Sequence, residues 1–476
     1  MKSLFFWLLL ASELQAATRP EVEARFHVVL QLAREKNDEA LVNEVRKLGR
    51  GLERAFGEGR ADRLDDALRA LEAKVGVAPG GWSMAGQPLF HPTAAMLEAL
   101  PGLQTRLGEA MQSGDPARVR EVTTPLLALL GDQAGVPDAR RPGRRPPPSS
   151  LAQADTTKLF LDALASEEPS IRKLREGTPL PDQMARLYAG VLSATTTVRP
   201  GVERHQPEAL PGLDQLSRGV AGILTGLQQP TGLFPFPDLR GKNLRFGEMT
   251  ERRVATGGVE VRGGWIVTAD PDGGSQFDTG VCGVALLEAG GCQGREDWTR
   301  AGLRAADWAL EQPCCANFNY NAFSVSLLAK AFRATGTPKY LDGALRKFRV
   351  GVAPGQAPNG RWLDPHNART VYHLIILRAL GDLASALPPD RSAERAEIET
   401  VLRPAIDALL DEFDAMGHTV EALPELQTLT ALYPGEERLR KATAAMAAGI
   451  IDQCTDRGRV RMGAQPQQLA ATTRPP

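Results

Sequence analysis

Apolar residues recur every three or four positions along most of this chain, and the polar breaks between such runs are short. The spacing appears first in Phe26, Val29, Leu30, Leu32 and Ala33, and again in Leu41, Val45, Leu48 and Leu52. That period is the signature of amphipathic helices. It returns in Thr157–Leu164, Gln183–Leu192 and Leu213–Leu227. It then continues in pairs: Thr279–Ala289 with Glu296–Glu311, Ala322–Thr335 with Pro338–Arg349, Ala368–Ala386 with Ala393–Met416, and Ala422–Tyr433 with Glu436–Ile451. Gly336-Thr337-Pro338, Pro388-Pro389 and Tyr433-Pro434-Gly435 punctuate the turns. Successive first helices follow one another at roughly 40–50 residues, a spacing that suits stacked helical hairpins. One stretch departs from the helical period. Gly257 to Thr268 reads as a short β-hairpin, and Thr231 to Asp238 before it reads as a rigid aromatic loop. The pattern predicts a mainly α chain with a small β excursion.

Proline sets the domain boundary. Between Val136 and Ser150 stand Pro137, Pro142, Pro146, Pro147 and Pro148, interleaved with Arg140, Arg141, Arg144 and Arg145. Proline fixes φ and removes a donor, so this segment reads as an extended, solvated linker. The expected organisation is a helical module over 18–135, a linker over 136–150, a helical-hairpin domain over 151–455 and a flexible tail over 456–476. A faint echo joins Asn37–Val45 to Gly114–Val122, each with an Asp placed to cap a helix start.

The N-terminus points to export. Lys2 supplies a positive start, Leu4 to Ala11 an apolar core, and Ala16 and Ala17 small residues for cleavage. Residues 1–17 read as a secretory signal peptide, which places the mature chain in the periplasm or outside the cell. No later segment is long and apolar enough to span a membrane. A formal charge of −1 over 476 residues carries no nucleic-acid footprint. Five cysteines leave at least one unpaired within the chain. Cys282, Cys292, Cys314 and Cys315 offer possible bridges, and no CxxC or CxxCH motif accompanies them or Cys454.

Polar residues gather where three helices are expected to begin. Asp278 precedes one apolar run. Asn317, Asn319, Tyr320 and Asn321 precede a second. Arg361, Trp362, Asp364, His366, Asn367, Arg369, Tyr372 and His373 open a third. Helix starts leave backbone N–H groups unpaired and favour anions, so three starts that meet would build one polar pocket. The bland readings are an N-cap for Asp278, a cap for Asn367 and core aromatics for Tyr320 and Tyr372. The density of functional groups between Trp362 and His373 favours a site.

Serial helical hairpins with functional loops at one end resemble the α/α-toroid enzymes of carbohydrate chemistry, the six-hairpin glycosidases and polysaccharide lyases. The resemblance covers about Ser150 to Cys454. Its best local matches are Asn319-Tyr320-Asn321-Ala322 and Thr335-Gly336-Thr337-Pro338-Lys339-Tyr340-Leu341. It implies a toroid whose inner helices begin near Asp278, Asn319 and His366, and a polysaccharide or oligosaccharide as partner.

Two chemistries follow, with a non-catalytic secreted scaffold or polysaccharide-binding protein as the alternative outside enzymes. For β-elimination on a uronic-acid polymer, the resemblance implies Asn319, Asn321, Asn367, Arg361 and Arg369 around the substrate carboxylate. Tyr320, Tyr372, His366 and His373 would then move protons. For glycoside hydrolysis, Asp278 and Asp364 are the natural carboxyl pair, with Asp270, Asp272 and Glu248 behind them, while Trp265 and Trp362 would stack on sugar faces. Lyase stands ahead, because amide, Tyr, His and Arg groups outnumber carboxylates. No cofactor is expected. Asp270-Pro271-Asp272-Gly273-Gly274 leaves calcium open, although the full EF-hand pattern is missing.

Overall fold

The structure is a computed structural model that describes residues 26–474 except 27–28, 31–32, 34–37, 58–60, 76–82, 85–86, 89, 91–92, 138–155, 242–243, 256, 258, 270–272, 417–421 and 456–465. The expected signal peptide and nearly all of the expected linker lie outside the described residues. The chain is mainly α, made of consecutive helical hairpins with two small sheets among the described residues.

Two compact units divide it. The first groups residues 1–145 with 353–374 and 403–419. Its own helices are α1 (Glu39–Gly57), α2 (Ala61–Val75), α3 (Ala94–Gln112) and α4 (Pro116–Leu130), with a two-residue hairpin of β1 (Ser83–Met84) and β2 (Gln87–Pro88). Both echoed Asp residues cap as predicted. Asp38 Oδ1 accepts from the Leu41 N–H at 2.9 Å, and Asp115 Oδ1 from the Ala117 N–H at 2.8 Å. Val29, Ala33, Leu41, Val45, Leu68 and Leu71 form one core cluster, the stripe that the helical period marks out.

The second unit groups residues 146–352 with 375–402 and 420–476. It runs through α5 (Thr156–Ser166), α6 (Glu168–Arg175), α7 (Ala185–His205), α8 (Leu210–Leu227), β3 (Phe236–Pro237), α9 (Leu244–Ala255), β4 (Val261–Arg262) and β5 (Trp265–Ile266). It continues with α10 (Ser275–Gln293), α11 (Glu296–Glu311), α12 (Phe318–Thr335) and α13 (Pro338–Gly351). Two helices pass between units: α14 (Thr370–Ala386) and α15 (Ser392–Met416). The last three are α16 (Leu423–Leu432), α17 (Glu437–Thr455) and α18 (Pro466–Ala471).

Three of the expected hairpins form, α10 on α11, α12 on α13 and α16 on α17, and α7 packs on α8 as a further pair. The first helices also pack in sequence, α7 on α10 and α10 on α12. Gly280 permits the close approach of α10 and α12, because a Cβ there would lie 2.7 Å from the Phe323 Cβ and 2.9 Å from its carbonyl oxygen. The three-stranded sheet has the order β3-β5-β4. Its hairpin turns at Gly263 and Gly264, both at positive φ (56° and 82°), the backbone that a two-residue turn with the right twist demands.

Three expectations change. Helix α7 runs to His205 rather than stopping near Leu192. The β-branched run that follows is tolerated because Thr195 and Thr196 return their hydroxyls to the Leu192 carbonyl at 2.9 and 2.8 Å. The expected tail is not all loose. In α18, Leu469, Ala470 and Ala471 are buried, Gln468 accepts from the Leu423 N–H, and the helix packs on α7. The cysteines do not bridge either: Cys282, Cys292, Cys314 and Cys315 are all free thiols. Cys282 and Cys292 sit on one helix ten residues apart, a rise of about 15 Å, far beyond disulfide reach.

Candidate functional site

Two of the three expected helix starts come together in the second unit, and a third that the sequence reading passed over joins them. Arg186, in the first turn of α7, forms a side-on ion pair with Asp278 of α10: Nε donates to Oδ1 at 2.8 Å and Nη2 to Oδ2 at 2.9 Å. Asp278 is therefore not the N-cap that the pattern allowed, since α10 begins three residues earlier at Ser275. Its side chain is 4% exposed and that of Arg186 28%. Burial raises the Asp278 pKa, and the guanidinium draws it back only in part.

Aromatic rings hold the guanidinium flat. It lies 3.9 Å from the Phe277 centroid and 5.8 Å from that of Phe236. Phe277 stacks in turn on Phe323 of α12, with centroids 4.2 Å apart and planes 11° apart. Arg186, Phe236, Phe277 and Phe323 are all half-buried. Tyr320, also half-buried, stands one helical turn before Phe323. Trp265 does not join this column. The register sets it opposite Pro237 and Arg262, on the other face of the sheet from Phe236 and Ile266.

The amides of this start are structural. Asn321 is fully buried and ties three strands of backbone together. Its amide donates to the Cys315 and Gly351 carbonyls, both at 2.8 Å, and its oxygen accepts from the Cys315 N–H at 2.9 Å. Asn319 is 1% exposed, and its amide donates to Asn317 Oδ1 at 2.7 Å. These placements remove both from contact with a polymer, contrary to the substrate-binding roles expected of them. Behind them, Gln276 Oε1 accepts from the Ser324 hydroxyl at 2.7 Å and from Lys347 Nζ at 3.1 Å.

The third expected start belongs to the first unit and is described by itself. Helix α14 opens at Thr370, two residues later than predicted, after a run of turns. Asp364 shapes that run: Oδ1 accepts from the Asn367 N–H at 2.9 Å and Oδ2 from the Asn367 amide at 2.8 Å. Gly360 lets the loop lie against α15, since a Cβ at its φ of +80° would meet the Pro404 carbonyl oxygen at 2.1 Å.

Much of this cluster is core. Trp362 is 0% exposed, so it offers no face to a sugar. Arg361 is 5% exposed; it donates to the Ala368 and Ala408 carbonyls and pairs with Glu412, whose other oxygen accepts from the Thr370 hydroxyl. Asn367 is 2% exposed. His373 is 0% exposed beside Trp362, with ring centroids 5.5 Å apart. Its Nε2 donates to the Ala405 carbonyl at 2.8 Å, and its buried Nδ1 has no partner among the described residues. Burial, aided by the Arg361 charge, holds its pKa well below the ordinary value, so the ring is neutral. The expected proton-carrier role does not suit a sealed ring.

A smaller set keeps partial exposure. His366 stacks on Tyr372 with centroids 4.0 Å apart and planes at 30°. Both rings are half-buried, as are Asp364 and Arg369. The Arg369 carbonyl accepts from the Tyr372 N–H at 3.0 Å, which locks the first turn beneath the stack. Asp270 and Asp272 lie outside the described residues, as does the Glu248 side chain. Among the described residues no group of three or more His, Cys, Asp or Glu is placed to hold a metal ion. No described helix is long and apolar enough to cross a membrane.

No family model matches this chain, and no curated protein matches it. Among solved structures it is similar to cellobiose 2-epimerase from Spirochaeta thermophila DSM 6192, at 12% identity and a TM-score of 0.39, over 68% of this chain and 98% of that one. So slight a likeness carries no argument about fold or chemistry.

The sequence reading missed Arg186, Phe236, Phe277 and Phe323. Arg186 alone left a usable signal: it stands in the first turn of a predicted helix, the criterion that selected the other starts. Phe236 lay in the aromatic loop already noted, while Phe277 and Phe323 carried no signal that set them apart.

Proposed function

We propose that this chain is an exported carbohydrate-active protein that cleaves a uronic-acid polymer by β-elimination. The observation that carries the chemistry is the half-buried stack of His366 on Tyr372, with Arg369 in the same turn. Elimination needs three services. Arg369 neutralises the uronate carboxylate and so acidifies the C5 proton. His366 accepts that proton on a ring nitrogen. Tyr372 donates its phenolic proton to the C4 oxygen as the C4–O bond breaks, leaving a C4–C5 double bond.

Hydrolysis by the Asp278 and Asp364 pair has less support. Both Asp278 oxygens are held by Arg186 and both Asp364 oxygens by Asn367, and the two residues belong to different units. A second reading, polysaccharide binding without cleavage, draws on the half-buried phenylalanines around Arg186.

The test is a screen of the mature chain on acidic and neutral polysaccharides, read for new reducing ends and for the ultraviolet absorbance of an unsaturated uronate. Both signals together support elimination. Reducing ends without that absorbance transfer the reading to hydrolysis, and silence on every polymer that the chain binds favours the binding protein.

A further inference from the structure

A guanidinium has two donor edges, the side-on pair Nε and Nη2 and the end-on pair Nη1 and Nη2. In Arg186, Asp278 takes the side-on edge with two bonds of 2.8 and 2.9 Å. The end-on edge has no partner among the described residues, while 28% of the side chain is exposed. The plane cannot turn freely. Phe277 lies under it at 3.9 Å, Phe236 flanks it at 5.8 Å, and Phe277 is itself stacked on Phe323 at 4.2 Å. Asp278 is 4% exposed and fixed in the first turn of α10. The result is a charged donor fork held at a set angle, next to three half-buried aromatic rings.

We infer that the end-on fork of Arg186 is a carboxylate-binding site, and that its occupant is a uronate residue whose ring lies against Phe236, since Phe277 is stacked between the guanidinium and Phe323. A carboxylate matches the fork with two parallel N–H···O bonds, a geometry that a lysine cannot offer. The apolar C–H face of a pyranose suits a neighbouring aromatic ring. Asp278 acts here as a positioning residue, because among the described residues its carboxylate is hydrogen-bonded to Arg186 and sets the fork by occupying the opposite edge. This inference rests on the uronate reading above, but it concerns binding in the second unit rather than cleavage at His366 and Tyr372.

The probes are short oligomers of galacturonate, glucuronate and mannuronate, each paired with its methyl-esterified form. Binding is measured by calorimetry on the full mature chain. At least one acid oligomer binds, and its ester, which lacks the charge, binds about tenfold more weakly or worse. R186K keeps the charge and loses the fork; it weakens acid binding by about tenfold and leaves ester binding unchanged. R186Q gives the same loss, with folding checked by circular dichroism. If no acid oligomer binds, if acids and esters bind alike, or if R186K binds as the wild type does, the inference is wrong. Cleavage is scored separately. Cleavage with an unaltered KM in R186K overturns the fork and leaves the lyase reading standing. Fork-dependent binding with no cleavage of any acid polymer does the reverse.

Discussion

Lys347 donates to Gln276 across 3.1 Å and to the Gln312 carbonyl at 2.8 Å, and no carboxylate faces it among the described residues. At 1% exposure the amine sits in a place that disfavours charge, and its pKa is lowered by burial first and by Arg346 after that, with Cys314 and Cys315 working the other way. Unfolding frees it to an ordinary lysine value near 10.4, so the unfolded chain holds the proton more tightly. Stability should therefore rise with pH up to about 10.4, then level off. Thermal midpoints of wild type and Lys347→Met, compared from neutral to alkaline pH, check this. The gap should move in favour of the wild type as pH climbs, and a gap independent of pH would sink the idea.

Arg361 and Glu412 form a buried ion pair. Removing one strands the other. Glu412→Ala should cost about 3–5 kcal/mol in urea unfolding, as removal of one member of a buried ion pair does. R361M/E412L, which removes both, should recover most of that loss. If the single and double variants are equally destabilised, the pair is not what holds the loop before α14.

His373 gives an acid limb. Its folded pKa lies below the unfolded value of about 6.5, so the unfolded chain takes up the proton first as pH falls. Its contribution is constant above about pH 6.5 and turns destabilising below it. In His373→Leu the loss of the Ala405 bond lowers stability at neutral pH, but the decline between about pH 6.5 and 5 should be shallower than in the wild type. Parallel declines would show that other groups dominate.

The stack makes the sharpest functional test. Tyr372→Phe keeps the ring and should change stability by no more than about 0.5 kcal/mol. On a polymer that the wild type cleaves, it should lower kcat by about 10²–10⁴, the usual share of a positioned acid. His366→Ala should lose as much. An unchanged kcat in both would move the chemistry elsewhere.

The apolar runs and the Gly and Pro breaks between them located the α10–α11, α12–α13 and α16–α17 hairpins, although α10 and α12 are buried on most sides rather than on one face. Asp38 and Asp115 were legible as caps, since capping is decided within three residues. Site roles were less legible. Trp362, Arg361, Asn321 and His373 have the side chains of a binding site, yet each is sealed by partners tens of residues away in the chain, such as Glu412, Gly351 and Ala405. Arg186 shows the opposite failure. Its place in the first turn of a predicted helix is the one local mark, and its role arises from Asp278, ninety-two residues on.

The division of the chain has a consequence for its synthesis. The first unit needs residues 353–374 and 403–419 beside its opening 145, so it stays unfinished until residue 419 has emerged. By then residues 146–352 of the second unit are already outside the ribosome. The N-terminal helices must wait through most of translation with an incomplete core. Truncations after residue 145 or 352 should thus yield aggregating fragments rather than domains, since neither unit is one continuous stretch.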